Sequence, residues 1–236
     1  KIGFAYVGIV VGAGFSTGQE VMQFFTPFGL WSYIGVLISG FILGFIGRQV
    51  AKIGTAFSAT NHESTLQYIF GEKFSKVFDY ILVFFLFGIA VTMIAGSGST
   101  FNQSFNIPTW LGALIMTIII YLTLLLDFNK IVRALGIVTP FLIVMVILIA
   151  VYYLFTGNIS IAEVNSTVPD TSIWKGIFWG LVYGGLAFAV GFSTIVAIGG
   201  DASKRRVSGA GALFGGVVYT ILLALINFSL QTEYPK

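Results

Sequence analysis

Cysteine is absent from this chain of 236 residues, histidine occurs once, and formally charged side chains make up only 9%. Without cysteine there are no disulfides and no thiolate metal sites. One imidazole, His62, cannot build a histidine-based zinc centre, so no metal site is expected. So low a charge content cannot cover a molecule in water with polar surface. No set of His, Ser and Asp and no group of metal ligands falls inside the apolar segments, so an enzyme is not expected, nor is any organic cofactor.

Hydrophobic residues instead make up 57% and the mean hydropathy is +0.96, which puts the chain in lipid. Crossing a hydrocarbon core about 30 Å thick takes about 20 mostly apolar residues. Seven candidate spans can be drawn, at 2 to 25, 31 to 55, 77 to 101, 110 to 126, 131 to 155, 173 to 199 and 207 to 230. The expected fold class is therefore an all-α membrane protein, a polytopic helical bundle, with the bilayer itself as a partner.

The basic residues orient this bundle. With residue 1 in the cytoplasm, alternation puts Lys1, Arg48, Lys52, Lys73, Lys76, Lys130, Arg133, Lys204, Arg205 and Arg206 inside and only Lys175 and Lys236 outside. That bias follows the positive-inside rule and predicts a multi-pass protein of the cell membrane with a cytoplasmic N-terminus. Nucleic acid is a poor partner for charges so placed. Lys204, Arg205 and Arg206 read as a topology anchor near anionic head groups. No cleavable signal peptide is recognisable. The chain enters an apolar span directly and ends after an odd seventh crossing, and so reads as a piece of a longer one.

Between spans two and three a short helix is expected, capped by Thr60 with Glu63 reaching back and closed at Gly71, its charges and His62 solvated. Span three has a polar, small-residue finish from Ala95 to Thr100, which suits protein or water better than lipid. Asp127 is placed for an interfacial salt bridge with Lys130 or Arg133. Pro140 in span five predicts a kink of the kind neighbouring helices tolerate. The glycosylation-type triplets at Asn158 and Asn165 carry no weight.

One recurrence stands out. Residues 3 to 17 and 180 to 194 share seven identities in fifteen positions: Gly3/Gly180, Tyr6/Tyr183, Gly8/Gly185, Gly14/Gly191, Phe15/Phe192, Ser16/Ser193 and Thr17/Thr194. Composition alone gives roughly one or two. With five crossings between them the copies run in opposite directions, the mark of an inverted-topology repeat. Gly12, Gly14 and Gly18 weaken span one, each by about 1 kcal/mol relative to alanine. Gly176, Gly180, Gly184, Gly185 and Gly191 do the same to span six.

A broken span exposes N–H groups and carbonyls that lipid cannot satisfy, so it makes a polar site in an oily wall. The N–H end suits a carboxylate and the carbonyl end an ammonium group or a cation such as Na⁺. The candidate substrate-binding residues are Gly12, Ala13, Gly14, Phe15, Ser16, Thr17 and Gly18 in span one and Tyr183, Gly184, Gly185, Ala187, Phe188 and Gly191 in span six. The competing reading of the same glycines is close helix packing. A dinucleotide loop is excluded because no strand precedes Gly12.

Glu20 is the one carboxylate well inside a span, about 9 Å beyond its middle if that half is helical. An ionisable group at such depth is by default functional, here for proton coupling or for contact with a substrate amine. Its alternatives are the outer interface or a polar patch with Gln19 and Gln23. Tyr6, Phe15, Tyr183, Phe188 and Phe192 flank the breaks and suit an apolar or cation-receptive lining.

The run from Val11 to Phe25, VGAGFSTGQEVMQFF, resembles the first-span signature of the YkvI-type bacterial membrane proteins, a group similar to the amino acid, polyamine and organocation transporters. The likeness extends over all seven spans, including Gly71 to Lys73. The resemblance implies a LeuT-like fold: two inverted repeats of five spans, the first over residues 1–165 and the start of the second over 166–236. It implies that spans one and six unwind around the substrate, span one taking its carboxylate and span six its amine. The implied function is secondary transport of a small amine-bearing solute, an amino acid or related compound, coupled to H⁺ or Na⁺. The rivals are a non-transporting ligand sensor of the germinant-receptor kind and a structural or assembly subunit. The departure is equally plain: a ten-span core needs three further helices.

Overall fold

The computed structural model describes residues 2–11, 15, 18–156 and 172–233, and all regular structure among them is helical. In chain order the helices are α1 (Ile2–Val10), α2 (Gln19–Phe24), α3 (Ser32–Phe41), α4 (Gly47–Phe57), α5 (Glu63–Phe105), α6 (Thr109–Leu124), α7 (Phe128–Thr156), α8 (Ile173–Gly200) and α9 (Arg205–Glu233). A 3₁₀ stretch, Thr26–Trp31, leads into α3, and a π-helical turn, Ile42–Ile46, joins α3 to α4.

Among the described residues five paths are long and apolar enough to cross a membrane: Thr26–Phe57, Glu63–Phe105, Lys130–Tyr153, Ile173–Gly200 and Arg205–Thr232. Two of the seven expected crossings differ. The 16 residues of α6 extend about 24 Å, short of the core thickness of about 30 Å. Among the described residues the first comprises a helix of nine residues, the helical Phe15 and a helix of six.

Small residues set how the central helices meet. A side chain on Gly35 would collide with Gly176 O, one on Gly180 with the backbone of Gly35, and one on Gly54 with Val196 O. These contacts run in the same order along both sides of the seam, so α3 and α4 lie parallel to α8. Backbones this close gain dispersion along their whole length, the usual force between helices in lipid. Ser39 Oγ reinforces the seam by donating to Gly180 O at 2.8 Å. By the same reasoning the π turn and α4 run antiparallel to α9 (Gly44 on Gly216, Lys52 on Gly209), and α1 is parallel to α9 (Ile2 on Gly211, Tyr6 on Gly215). It follows that α1 and α8, which carry the matching sequence copies, point in opposite directions.

The expected unwinding of span six between Tyr183 and Gly191 is not observed. Helix α8 runs unbroken from Ile173 to Gly200. Its glycines serve contact instead: Gly184 lies on Ser39 and Ile42, and Gly191 on Tyr6 and Val10. Removing Cβ weakens a helix and also lets another helix approach; here the second effect wins because partners occupy the space.

The π turn in span two has a partner of its own. The π turn leaves Leu43 O able to accept the buried Tyr6 hydroxyl at 3.1 Å. At the other end of this path Gly29 has φ +55. Ser32 Oγ and Gln231 Nε2 both donate to its carbonyl, at 2.6 and 2.8 Å, and Asn227 Nδ2 donates to Ser32 Oγ. This saturated network fastens the turn before α3 to the end of α9.

Helices α5 and α6 pack chiefly on each other, Gly98 against Thr109 and Ala113 and Gly112 against Phe101. Their outer faces bear large apolar side chains such as Phe84, 79% exposed, which only lipid or protein solvates well. The linker helix expected before span three is present as the start of α5 and breaks at Gly71, φ +74. Its N-cap is His62 rather than Thr60, without a side-chain cap bond, and Glu63 N–H donates to Asn61 Oδ1 at 3.2 Å. Helix α7 carries Pro140 in its interior, and Lys130 pairs with Asp127 at 2.8 Å.

Candidate functional site

The first span stops and restarts around Gly18. Val11 is non-helical, and Gly18 sits at φ +75, a left-handed conformation that a side chain would strain. Gly18 O then accepts the Met22 N–H at 2.8 Å and α2 begins. Glu20 lies in the first turn of α2, where the positive end of the helix favours a carboxylate.

Three elements converge on that carboxylate. Tyr183 of α8 donates its hydroxyl to Glu20 Oε2 at 3.1 Å, and the hydroxyls of Tyr183 and Tyr219 are 2.6 Å apart. With the Tyr183 proton directed at Glu20, Tyr219 of α9 is the donor to Tyr183. Both tyrosines are buried, so each hydroxyl needs this partner. Phe25 stands edge-on to Tyr183 at 5.0 Å and Phe15 packs on Tyr219 at 5.1 Å, locking the rings.

Glu20 also borders open space. A cavity of about 110 Å³ lies between Val10, Glu20 and Phe24 on one side and Thr92, Met93, Ala187 and Val190 on the other. A water takes about 30 Å³, so three or four would fill it. A groove of about 870 Å³ shares Glu20, Phe24, Thr92, Met93 and Leu186 with this cavity and adds Gln19, Gln23, Ser99 and Gln103. One ionisable group, flanking amides and hydroxyls, and apolar walls make a site suited to a small polar solute with an apolar part.

Among the sequence candidates, Gly12, Ala13, Gly14, Ser16 and Thr17 lie outside the described residues. Glu20, Tyr183 and Ala187 are brought together at the cavity. Phe15 supports Tyr219, and Gly18 lies against Leu230. Gly184 and Gly191 face neighbouring helices rather than the cavity. Gly185 and Phe188 line a separate apolar groove against Phe70, Phe78 and Ile81 of α5. The candidates omitted Tyr219, Thr92 and Met93. For Ser99, the polar finish of span three was the available signal, and that finish does face the groove.

His62 is not solvated as expected. Its Nε2 lies 2.6 Å from Asp79 Oδ1, its Nδ1 lies 2.9 Å from Ser193 Oγ, and its ring meets Phe192 edge-on at 6.3 Å. The linker is thereby tied to α5 and to the second copy of the Gly-Phe-Ser-Thr motif. No spacing rule relates residues 62, 79 and 193.

Apolar helices of crossing length, lipid-suited outer faces and an ionisable group within the bundle define an α-helical membrane protein. The comparisons agree. Over 236 residues, 98% of its length, the chain is 28% identical to the uncharacterized membrane protein YkvI of Bacillus subtilis (strain 168), covering 66% of that protein. Over 137 residues, 58% of its length, it is 30% identical to the uncharacterized protein YyaD of the same organism, covering 39% of it. The chain thus spans just under two thirds of the first relative and less of the second. No family profile matches the sequence, and no solved structure matches it.

Proposed function

We propose that this chain is the substrate-binding part of a secondary transporter of a small amine-bearing solute, an amino acid or related compound, acting by alternating access with H⁺ or Na⁺ as the coupling ion. The observation that carries the reading is Glu20, a carboxylate on an interrupted membrane span, held by Tyr183 and open to a cavity and groove. An ionisable group so placed is costly unless it is used. The substrate amine is assigned to Glu20 rather than to span six, whose backbone keeps its helix. The span-one break takes the carboxylate, on the chemistry of exposed N–H groups.

A LeuT-like inverted repeat, its first unit over 1–165 and its second beginning at 166, is the architecture proposed with this function. The opposed directions of α1 and α8 and their seven shared identities support it. Alternating access then consists of one group of helices rocking against another around the fixed site.

Counterflow in liposomes containing the full-length protein tests the reading, with labelled amino acids and amines, with and without Na⁺ or a pH gradient. Saturable exchange is the expected result. Binding without flux would replace the carrier by a sensor. Absence of both would leave an assembly subunit.

A further inference from the structure

A second cavity, of about 960 Å³, lies at the basic end of the bundle, between α4, the linker helix at the start of α5, and the beginning of α9. Four cations line it: Arg48, Lys52, Arg205 and Arg206. No Asp or Glu is among its lining residues, and none of the four forms an ion pair among the described residues. Arg48 Nε is buried without a hydrogen-bond partner.

The backbone arranges this convergence. Arg48 and Lys52 are four residues apart and share a face of α4. Their aliphatic stems lie across α9 at Gly209, where a Cβ would meet Lys52 Cε at 2.7 Å and Arg48 Cγ at 3.3 Å. A glycine at 209 leaves room for both stems to cross close to the helix. Arg205 and Arg206 open α9. A helix start already carries partial positive charge and ordinarily favours acidic residues. Four like charges and a helix start around one cavity repel one another, and a multivalent anion relieves that repulsion.

The surroundings select the kind of anion. Phe57 and Tyr68 line the same cavity with ring centroids 5.2 Å apart, and both are substantially exposed. Tyrosine is enriched at the depth of lipid head groups, and Phe57 adds apolar surface beside it. Leu213 and Ile53 continue the wall with apolar surface. Arginine forks match phosphate oxygens two at a time.

We propose that this cavity binds the phosphate groups of an anionic phospholipid, with Arg48, Lys52, Arg205 and Arg206 on the phosphates and the Phe57 and Leu213 side against the lipid's glycerol and upper chains. Four cations match a diphosphoryl head group such as that of cardiolipin better than a single phosphate. This site is separate from the cavity at Glu20 and independent of the transport reading.

The test is lipid binding to the full-length protein in detergent, read by native mass spectrometry and by the shift of Tm on adding cardiolipin, phosphatidylglycerol, phosphatidylcholine or inorganic pyrophosphate. Cardiolipin is expected to bind and raise Tm, and phosphatidylcholine is not. The double variant Arg205→Gln/Arg206→Gln changes only exposed side chains, so its fold is expected to survive. Cardiolipin affinity should fall about 30-fold in it, since each interfacial basic residue contributes roughly a factor of five. Lys130→Gln/Arg133→Gln, which removes two charges outside the cavity, should leave affinity unchanged. Equal losses in the two double variants would reduce the site to general surface charge and overturn the proposal. So would undiminished binding in Arg205→Gln/Arg206→Gln. Pyrophosphate binding as tightly as cardiolipin would overturn the lipid assignment in favour of a soluble phosphate.

Discussion

Tyr183 donates its hydroxyl to Glu20 across the interface of two different spans, at 3.1 Å. This bond joins the carboxylate of the interrupted first span to an unbroken helix, so a change at either residue should be felt at the other. Glu20→Gln keeps the shape and removes the charge. Counterflow of an amine-bearing solute should fall about tenfold or more, the scale of one charge-assisted hydrogen bond. Any pH dependence of flux should flatten with it. Unchanged flux and an unchanged pH profile in proteoliposomes would remove Glu20 from both roles.

Tyr6 reaches across to the π turn and donates to Leu43 O at 3.1 Å. In Tyr6→Phe that buried carbonyl loses this partner. Leaving a buried polar group unsatisfied costs about 1–3 kcal/mol. Thermal unfolding in detergent should register the loss; a Tm equal to that of the unaltered protein would mean the π turn holds without the tyrosine.

Two glycines in the same helix should respond with opposite signs. Gly180→Ala would drive a methyl into the backbone of Gly35, which cannot rotate aside. Overpacking of that kind costs about 1–3 kcal/mol. Gly185→Ala meets open space and should add stability of up to about 1 kcal/mol through helix propensity. Comparing the two Tm shifts checks the packing reading of α8. If Gly185→Ala destabilised and Gly180→Ala did not, the continuous, packed α8 would be overturned.

His62 ties the linker to Asp79 and Ser193. His62→Ala should loosen residues 58–62 with a modest global loss of about 1 kcal/mol, because the pair is partly exposed. Faster hydrogen exchange or protease cleavage in that segment, with Tm little changed, is the expected pattern. Exchange as slow as before substitution would show that the linker is held by other contacts.

Much of the architecture was legible beforehand because hydropathy is a local property. Long apolar runs, the break at Gly71 and the pairing of Asp127 with Lys130 follow from residues near one another in the chain. Opposed α1 and α8 follow from counting crossings. Glu20 was legible as an anomaly, since a carboxylate in an apolar run stands out without any partner being known. Its partners were not: Tyr219 is one tyrosine among ten, and nothing in its neighbourhood sets it apart. The same holds for Ser193 beside His62.

By itself, then, the sequence determined that this protein lives in lipid, roughly where its helices run, and which carboxylate stands out within an apolar run. Tertiary structure decided what the glycines are for. A missing Cβ both weakens a helix and lets another come near, and the two effects are indistinguishable along the chain. At Gly18 a positive φ selects the turn. At Gly180 the backbone of Gly35 fills the vacated space, and dispersion between two closely apposed helices keeps α8 whole.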